Sequence, residues 1–214
     1  MRRVFAIRLV AVLGLLALTG ACETMSVDEC RVADWRSLGF QDGANGTTLE
    51  KFSAREKSCS KAGVTAHFEP YSAGRADGLR SFCTPERGFR AALSGYVYQG
   101  VCPASAEPEF LIGYDDGRMA YQATSAVSSL QSDINSLKYR LDDYDKDIRD
   151  HRRTLDSASA TAEEKEKSRK RIAELRDDRK SAERDLRGKE DDLYWRENDL
   201  ARTRDQIGLR WGSW

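Results

Sequence analysis

From Ala120 onward the apolar residues fall at alternating steps of three and four: Ala120, Ala123, Val127, Leu130, Ile134, Leu137, Leu141, Tyr144, Ile148, His151 and Leu155. This is the a/d spacing of a coiled coil, with His151 as its one polar member. Neither Pro nor Gly interrupts the chain between Gly117 and Gly188. The spacing predicts a long helix that stops near Asp156. Ser157-Ala-Ser-Ala-Thr161 then offers a turn, and Thr161 with Glu164 has the spacing of a capping box that starts a second helix.

Register supports the break. Continuing the first heptads would place Arg169, Arg176, Glu183 and Glu190 in the seam, whereas a fresh register places Ile172, Leu175, Ala182, Leu186, Leu193, Leu200 and Ile207 there. Folding about residue 160 opposes Ile148 to Ile172, Leu137 to Ala182, Ile134 to Leu186 and Val127 to Leu193. The alternative is one continuous helix that pairs with another molecule. Arg179, Lys189 and Arg196 also fall in the second seam, so further helices, from a homo-oligomer or a partner, could use their stems. At 1.5 Å per residue the arm would be ~70 Å long. The closing Gly208-Leu-Arg-Trp211-Gly-Ser-Trp214 reads as an aromatic, flexible tail. In the hairpin Ile207 returns opposite Gly113, so the tail's tryptophans are expected either to pack beside the disulfide region or to meet a membrane interface.

The beginning of the chain changes the picture. Met1 to Ala21 reads as a targeting segment, with Arg2, Arg3 and Arg8 ahead of an apolar run from Leu9 to Leu18. That run falls short of the ~20 apolar residues a membrane span needs. Leu18-Thr19-Gly20-Ala21-Cys22 resembles the lipobox of bacterial lipoproteins, with Thr19 standing where the usual box has Leu. The resemblance implies cleavage before Cys22 and acylation of that cysteine. By the same analogy Glu23, rather than Asp, implies the outer membrane and a lipid anchor on its periplasmic face. The alternative is an ordinary secretory signal with Cys22 as a structural thiol.

Four further cysteines, Cys30, Cys59, Cys83 and Cys102, lie in the first half of an exported chain and imply two disulfides. Three pairings are open, and we expect the bonds to join sequence neighbours, Cys30–Cys59 and Cys83–Cys102. A four-cysteine zinc site would want a close C-x₂-C pair, which is absent. The chain carries 35 basic and 35 acidic residues. Within 120–207 the numbers are 20 and 21, closely interspersed, so no net basic face for nucleic acid appears.

Between Ser26 and Arg118 a short unit repeats. Trp35…Gly39-Phe-Gln-Asp42-Gly43, Tyr71…Gly74-Arg-Ala-Asp77-Gly78 and Phe110…Gly113-Tyr-Asp-Asp116-Gly117 share an aromatic residue followed by G-x-x-D-G. Gly95-Tyr-Val-Tyr-Gln-Gly100 is a looser fourth relative. The third copy runs into the long helix, so all three are read as short helices. Glycines four apart share a helix face, where another backbone can approach closely. The alternative makes each Asp-Gly a turn corner. Thr47 or Thr48 is expected to cap a helix through about Ser60, with Gly63 stopping it. Pro70 suits the first turn of a helix from Tyr71 to Cys83. Pro85, Gly88, Gly95, Gly100 and Pro103 mark a looser segment in which Tyr96-Val97-Tyr98 could form a strand.

Cys30, Asp34-Trp35, Gly39, Asp42-Gly43, Tyr71, Gly74-Arg75, Gly78-Leu79, Phe82-Cys83, Gly95, Tyr98, Gly100-Val101-Cys102-Pro103 and Tyr114 follow one motif order. In that order the region from about Cys30 to Tyr121 resembles domain-of-unknown-function family 2799, a family of bacterial lipoproteins. The resemblance implies an envelope lipoprotein and supplies no catalytic residue.

Candidate chemistry is sparse. Asp42, Asp77 and Asp116 recur at equivalent places and could hold a hard cation such as calcium, or else cap helices and stabilise turns. His67-Phe-Glu69 lacks an accompanying nucleophile, and His151 lies in or beside the seam. Near the predicted tip, Arg152, Arg153, Lys165 and Lys167 form a candidate contact for an anionic partner such as peptidoglycan carboxylates.

The expected fold is mainly α: residues 1–21 a signal peptide, 22–29 a lipidated cysteine and linker, 30–118 a small disulfide-stapled helical domain, 119–207 an antiparallel coiled-coil hairpin, and 208–214 a tail. The expected function is that of a non-enzymatic, lipid-anchored envelope protein. It would scaffold or space an envelope-protein or cell-wall partner with the arm and need no cofactor. The alternative is a ligand- or metal-binding module built on the repeats.

Overall fold

The computed structural model describes residues 24–214, and among them the chain is all helix and loop. Its elements are α1 (Val27–Arg31), α2 (Trp35–Ala44), α3 (Glu50–Lys61), α4 (Phe68–Phe82), α5 (Pro85–Leu93), α6 (Glu107–Asp156) and α7 (Ala162–Trp211). Cys22 and the signal segment lie outside the described residues. The rest divides into two compact units, the first reaching to Gly88 and taking in Val97–Leu111, the second comprising Phe89–Tyr96 and Ile112–Trp214.

In the first unit each helix start is set locally. Ser26 and Glu29 form a capping box on α1, and Asp34 accepts from the Arg36 and Ser37 amides to cap α2. Gly63 ends α3 with φ +69°, as the Val64 amide returns to the Cys59 carbonyl and the Gly63 amide to that of Ser60. Met25, Cys30, Trp35, Phe52, Cys59 and Tyr71 form the core. Phe52 touches the Trp35 ring at 5.9 Å and the Tyr71 ring at 4.7 Å, an aromatic cluster in place of large aliphatics. Bridges Cys30–Cys59 and Cys83–Cys102 staple this small core, in the sequence-neighbour pairing.

Several expectations change here. The stretch 22–29 is no linker where it is described: the Thr24 amide donates to Ser58 Oγ at 3.3 Å, Met25 is buried, and Ser26 already begins α1. Neither Thr47 nor Thr48 caps α3, whose N-cap position is Leu49 without a side-chain bond. The segment from Pro85 is helix, because proline at a first helical position forfeits no needed N–H and Thr84 Oγ1 accepts from the Arg87 amide. Residues 96–98 are not a strand: the described residues offer no neighbouring strand to pair with. Instead the Tyr98 hydroxyl accepts the Cys102 amide at 2.9 Å and donates to Glu107, tying the loop through side chains.

The second unit is built on the antiparallel pair α6, from Ile112 onward, and α7; each helix has 50 residues and is therefore ~75 Å long by helical rise. The first helix starts at Glu107, so the third repeat lies on its opening turns and the helix begins before residue 119, and the second helix runs through 208–210 to Trp211. Thr161 and Glu164 make the capping box reciprocally, at 2.8 Å and 3.2 Å. Ile148 packs on Ile172 and Leu175 in the distal half, while Ala120 and Ile207 pack with Phe89 at the other end. Every predicted seam residue of α6 is buried or half-buried, and so are the seven of α7. Two of the three cations in the second seam find partners on α6: Arg179 Nε reaches Asp145 at 2.8 Å and Lys189 Nζ reaches Asp133 at 2.6 Å. Arg196 pairs on its own helix with Asp199. A polar seam position is thus closed within the hairpin.

The tail is packed rather than free. Trp211 stacks on Phe89 with centroids 4.9 Å apart, its Nε1 donates to Asp116 at 2.7 Å, and Trp214 lies under the Arg204 guanidinium.

Candidate functional site

The repeated aromatic/Gly/Asp units are helical, and the first two pack directly against one another. A Cβ on Gly39 would stand 2.0 Å from the Tyr71 carbonyl oxygen, and one on Gly43 would stand 2.3 Å from that of Arg75. The reverse contacts match: Gly74 against the Arg36 oxygen at 1.9 Å and Gly78 against the Phe40 oxygen at 2.2 Å. Each residue of α2 has its counterpart 35 positions later on α4, so the two helices meet in parallel about a pseudo-twofold. Only glycine permits backbones this close. The turn reading of the Asp-Gly pairs is thereby replaced.

The aspartates obey the same symmetry. Tyr71 on α4 donates its hydroxyl to Asp42 on α2 at 2.8 Å, and Arg36 on α2, Tyr71's counterpart, donates to Asp77 on α4 at 2.7 Å. The environments then diverge. Asp42 is buried, and the Arg55 guanidinium grips both its oxygens, Nη1 on Oδ2 and Nη2 on Oδ1. Asp77 is more open and also takes Arg80. In the second unit Asp116 takes Arg210 at 2.6 Å as well as Trp211 Nε1. Each repeated carboxylate therefore has its own guanidinium, and among the described residues no group of three acidic, His or Cys side chains is placed to hold a metal ion. Burial, and then the hydrogen bond to Asp42, push the Tyr71 hydroxyl well above the ordinary phenol range. Neutral Tyr71, ionised Asp42 and Arg55 form a closed network with its charges compensated inside the core. Sequence reading named Asp42 and Tyr71 but missed Arg55, which stands 13 positions beyond Asp42 among other charged residues of α3.

The third copy meets a different element. A Cβ on Gly117 would be 2.2 Å from the Phe89 carbonyl and 3.0 Å from Ala92 Cβ, so α5 supplies the close partner backbone. The signal was present as Ala92, a small residue three positions beyond Phe89. Gly95 and Gly100 of the looser relative instead sit in a loop with positive φ and belong to no repeat helix.

The predicted basic contact at the tip splits into two grooves. Arg152 and Arg153 join Arg149 and Asp156 in one, and Arg153 also pairs with Asp150. Lys167 lies with Lys170, Arg171, His151 and Glu174 in the other, of about 430 Å³. Lys165 is half-buried and lines neither groove. Arg149, one helical turn before Arg152 and Arg153, is a groove cation that the sequence reading did not name. His151 Nδ1 lies 3.3 Å from the buried Ser168 hydroxyl, so the single polar member of the α6 seam meets a polar partner across the hairpin. His67 occupies the N-cap position of α4 without capping it and is exposed.

Residues 34–119 match the family described as protein of unknown function (DUF2799), from the Asp34 cap of α2 into α6. No curated protein and no solved structure matches the chain.

Proposed function

We propose that this chain is a non-enzymatic, lipid-anchored envelope protein whose two-helix arm holds or spaces a partner. The observation that carries the reading is the hairpin itself: two helices of 50 residues each, closed along the seam by apolar packing and by the Arg179–Asp145 and Lys189–Asp133 pairs. A long, internally satisfied rod offers length and a charged exterior, and its ends are the places where a partner can be held. The two basic grooves near the turn suit an anionic partner, an acidic protein face or cell-wall carboxylates. Export is supported by the paired cysteines, since disulfides persist in oxidising compartments. The anchor and the outer-membrane address rest on Cys22 and Glu23. The separate guanidinium on each repeated aspartate weighs against the metal-binding alternative.

The test is photo-crosslinking in the intact envelope from Tyr139, Arg152 and Lys167 on the arm. A matched deletion of 124–137 and 183–196, two heptads from each helix, keeps the register and all three probe positions while shortening the hairpin. Discrete adducts from the arm, changed or lost on shortening, are expected. Absence of any adduct from all three positions, with function unaffected by the deletion, would remove the scaffold reading. Cys22→Ala is expected to release the protein from the membrane fraction.

A further inference from the structure

The first described residues leave the anchor no slack. Thr24 is held twice by Ser58, through its amide at 3.3 Å and its hydroxyl at 3.1 Å, and Ser58 is itself bonded to the Ala54 carbonyl. Met25 is only 8% exposed, in the core with Cys30 and Cys59, and Ser26 caps α1. Two peptide steps separate Thr24 from Cys22, a reach of about 7 Å at full extension.

Beside Thr24 lies a groove of about 370 Å³ whose apolar wall is Met25, Val32, Ala33 and Leu38. Val32 is 83% exposed at the end of α1. One exposed valine is ordinary on a protein surface. Its place on the rim of the groove that Thr24 also lines is what singles it out. The charged groups along this groove are already engaged: Glu29 accepts the Ser26 amide at 2.7 Å, Asp34 caps α2, and Arg55 grips Asp42. The Glu29 and Asp34 carboxylates stay exposed at its edge, so the groove beside Thr24 is an apolar wall rimmed by charge.

We propose that this face, Val32 with the groove beside Thr24, rests directly on the bilayer surface that holds the lipid, so the first unit is seated on the membrane rather than tethered above it. The inference rests on acylation at Cys22. The occupant is the bilayer because the chain between lipid and fold is too short to admit a protein layer: about 7 Å is less than the ~10 Å diameter of one helix with its side chains.

The experiment uses the full lipidated chain in phosphatidylethanolamine/phosphatidylglycerol vesicles. A nitroxide is placed at Val32→Cys and, as a water-exposed reference in the turn, at Ser159→Cys. Accessibility to a water-soluble paramagnetic relaxant is read with and without a 15-residue Gly/Ser insertion between Glu23 and Thr24. The expected result is protection of the residue 32 label relative to 159, lost on insertion, with membrane retention unchanged. Equal exposure of both labels in a membrane-bound protein overturns the seating, and so does protection that survives the insertion. Failure of the chain to enter the membrane fraction at all refutes the anchor instead. Protection in cells but not in protein-free vesicles assigns the face to a protein and also overturns the proposal.

Discussion

Tyr71 donates to Asp42 across the parallel pair α2/α4, and this one contact joins the two halves of a repeat at the only one of the three repeated aspartates that is buried. Arg36 and Asp77 make the symmetry-related contact near solvent. A single geometric relation therefore produces one core network and one surface ion pair. The difference comes from Arg55, which α3 brings to one side only.

The buried network should be costly to break by halves. Asp42→Ala leaves the Arg55 charge without its partner in the core and is expected to destabilise the first unit by ~3–5 kcal/mol. Asp77→Ala, which disrupts the exposed counterpart, is expected to cost no more than ~1 kcal/mol. Urea denaturation of the unlipidated chain from residue 23, followed by near-ultraviolet dichroism of the aromatic core, measures both. Equal losses would contradict the assigned difference.

The close approach of α2 and α4 makes a second expectation sharp. Gly74→Ala puts a methyl 1.9 Å from the Arg36 oxygen, which backbone must move to accommodate. Overpacking of this kind costs ~1–3 kcal/mol or more. Gly188→Ala, by contrast, places its methyl in open space within α7. It should stabilise the arm by up to ~1 kcal/mol through helix propensity alone. Thermal melts of the two variants are expected to move in opposite directions.

Alkaline pH should weaken the first unit through Tyr71. Its hydroxyl is held above the ordinary value of 10, first by burial and then by Asp42. The stabilisation from neutral Tyr71 is complete below pH 10 and falls as pH rises toward the folded value, because the unfolded chain releases the proton first. Tyr71→Phe removes that titration and should flatten the stability profile above pH 10, with a loss of ~1 kcal/mol near neutrality from the missing hydrogen bond. A wild-type profile already flat between pH 9.5 and 11.5 would contradict this account.

Cys30–Cys59 closes a separation of 29 residues and Cys83–Cys102 one of 19. On the chain-entropy model each contributes ~3–4 kcal/mol. The double substitution Cys30→Ala with Cys59→Ala should lower the denaturant midpoint of the first unit. The α7 capping and the Ile148–Ile172 packing involve neither residue. The arm's helical dichroism should therefore persist, and its collapse together with the unit would show that the two do not unfold separately.

The tip grooves give the partner reading its own test. Replacing Arg152, Arg153, Lys165 and Lys167 by Gln is expected to reduce binding to isolated cell-wall sacculi, and wild-type binding should weaken as salt screens the attraction. Binding indifferent to both changes would show that the cations do not make the contact.

What the sequence determined by itself was whatever depends on spacing along one chain. The heptads of α6 and the fresh register of α7 could be read because a helix repeats its face every three to four residues. The turn was legible because Thr161 and Glu164 satisfy each other within one turn. The repeat marked out glycine faces for the same reason. Which backbone would occupy those faces was a tertiary decision. Gly39 and Gly74 chose one another's helices, while Gly117 chose Phe89 on a helix that the Pro85 and Gly88 punctuation had disguised as loop. Arg55 entered the core because the Phe52 contacts with Trp35 and Tyr71 set α3 against α2 and α4, while the Cys30–Cys59 bridge ties α3 to α1. An arginine looks alike in sequence whether it faces water or a buried carboxylate. The tail was likewise settled by contact: Gly208 and the tryptophans read as flexible locally, yet Phe89 and Asp116 hold Trp211 at the end of α7. Local periodicity names the faces, and burial against a particular neighbour assigns their partners.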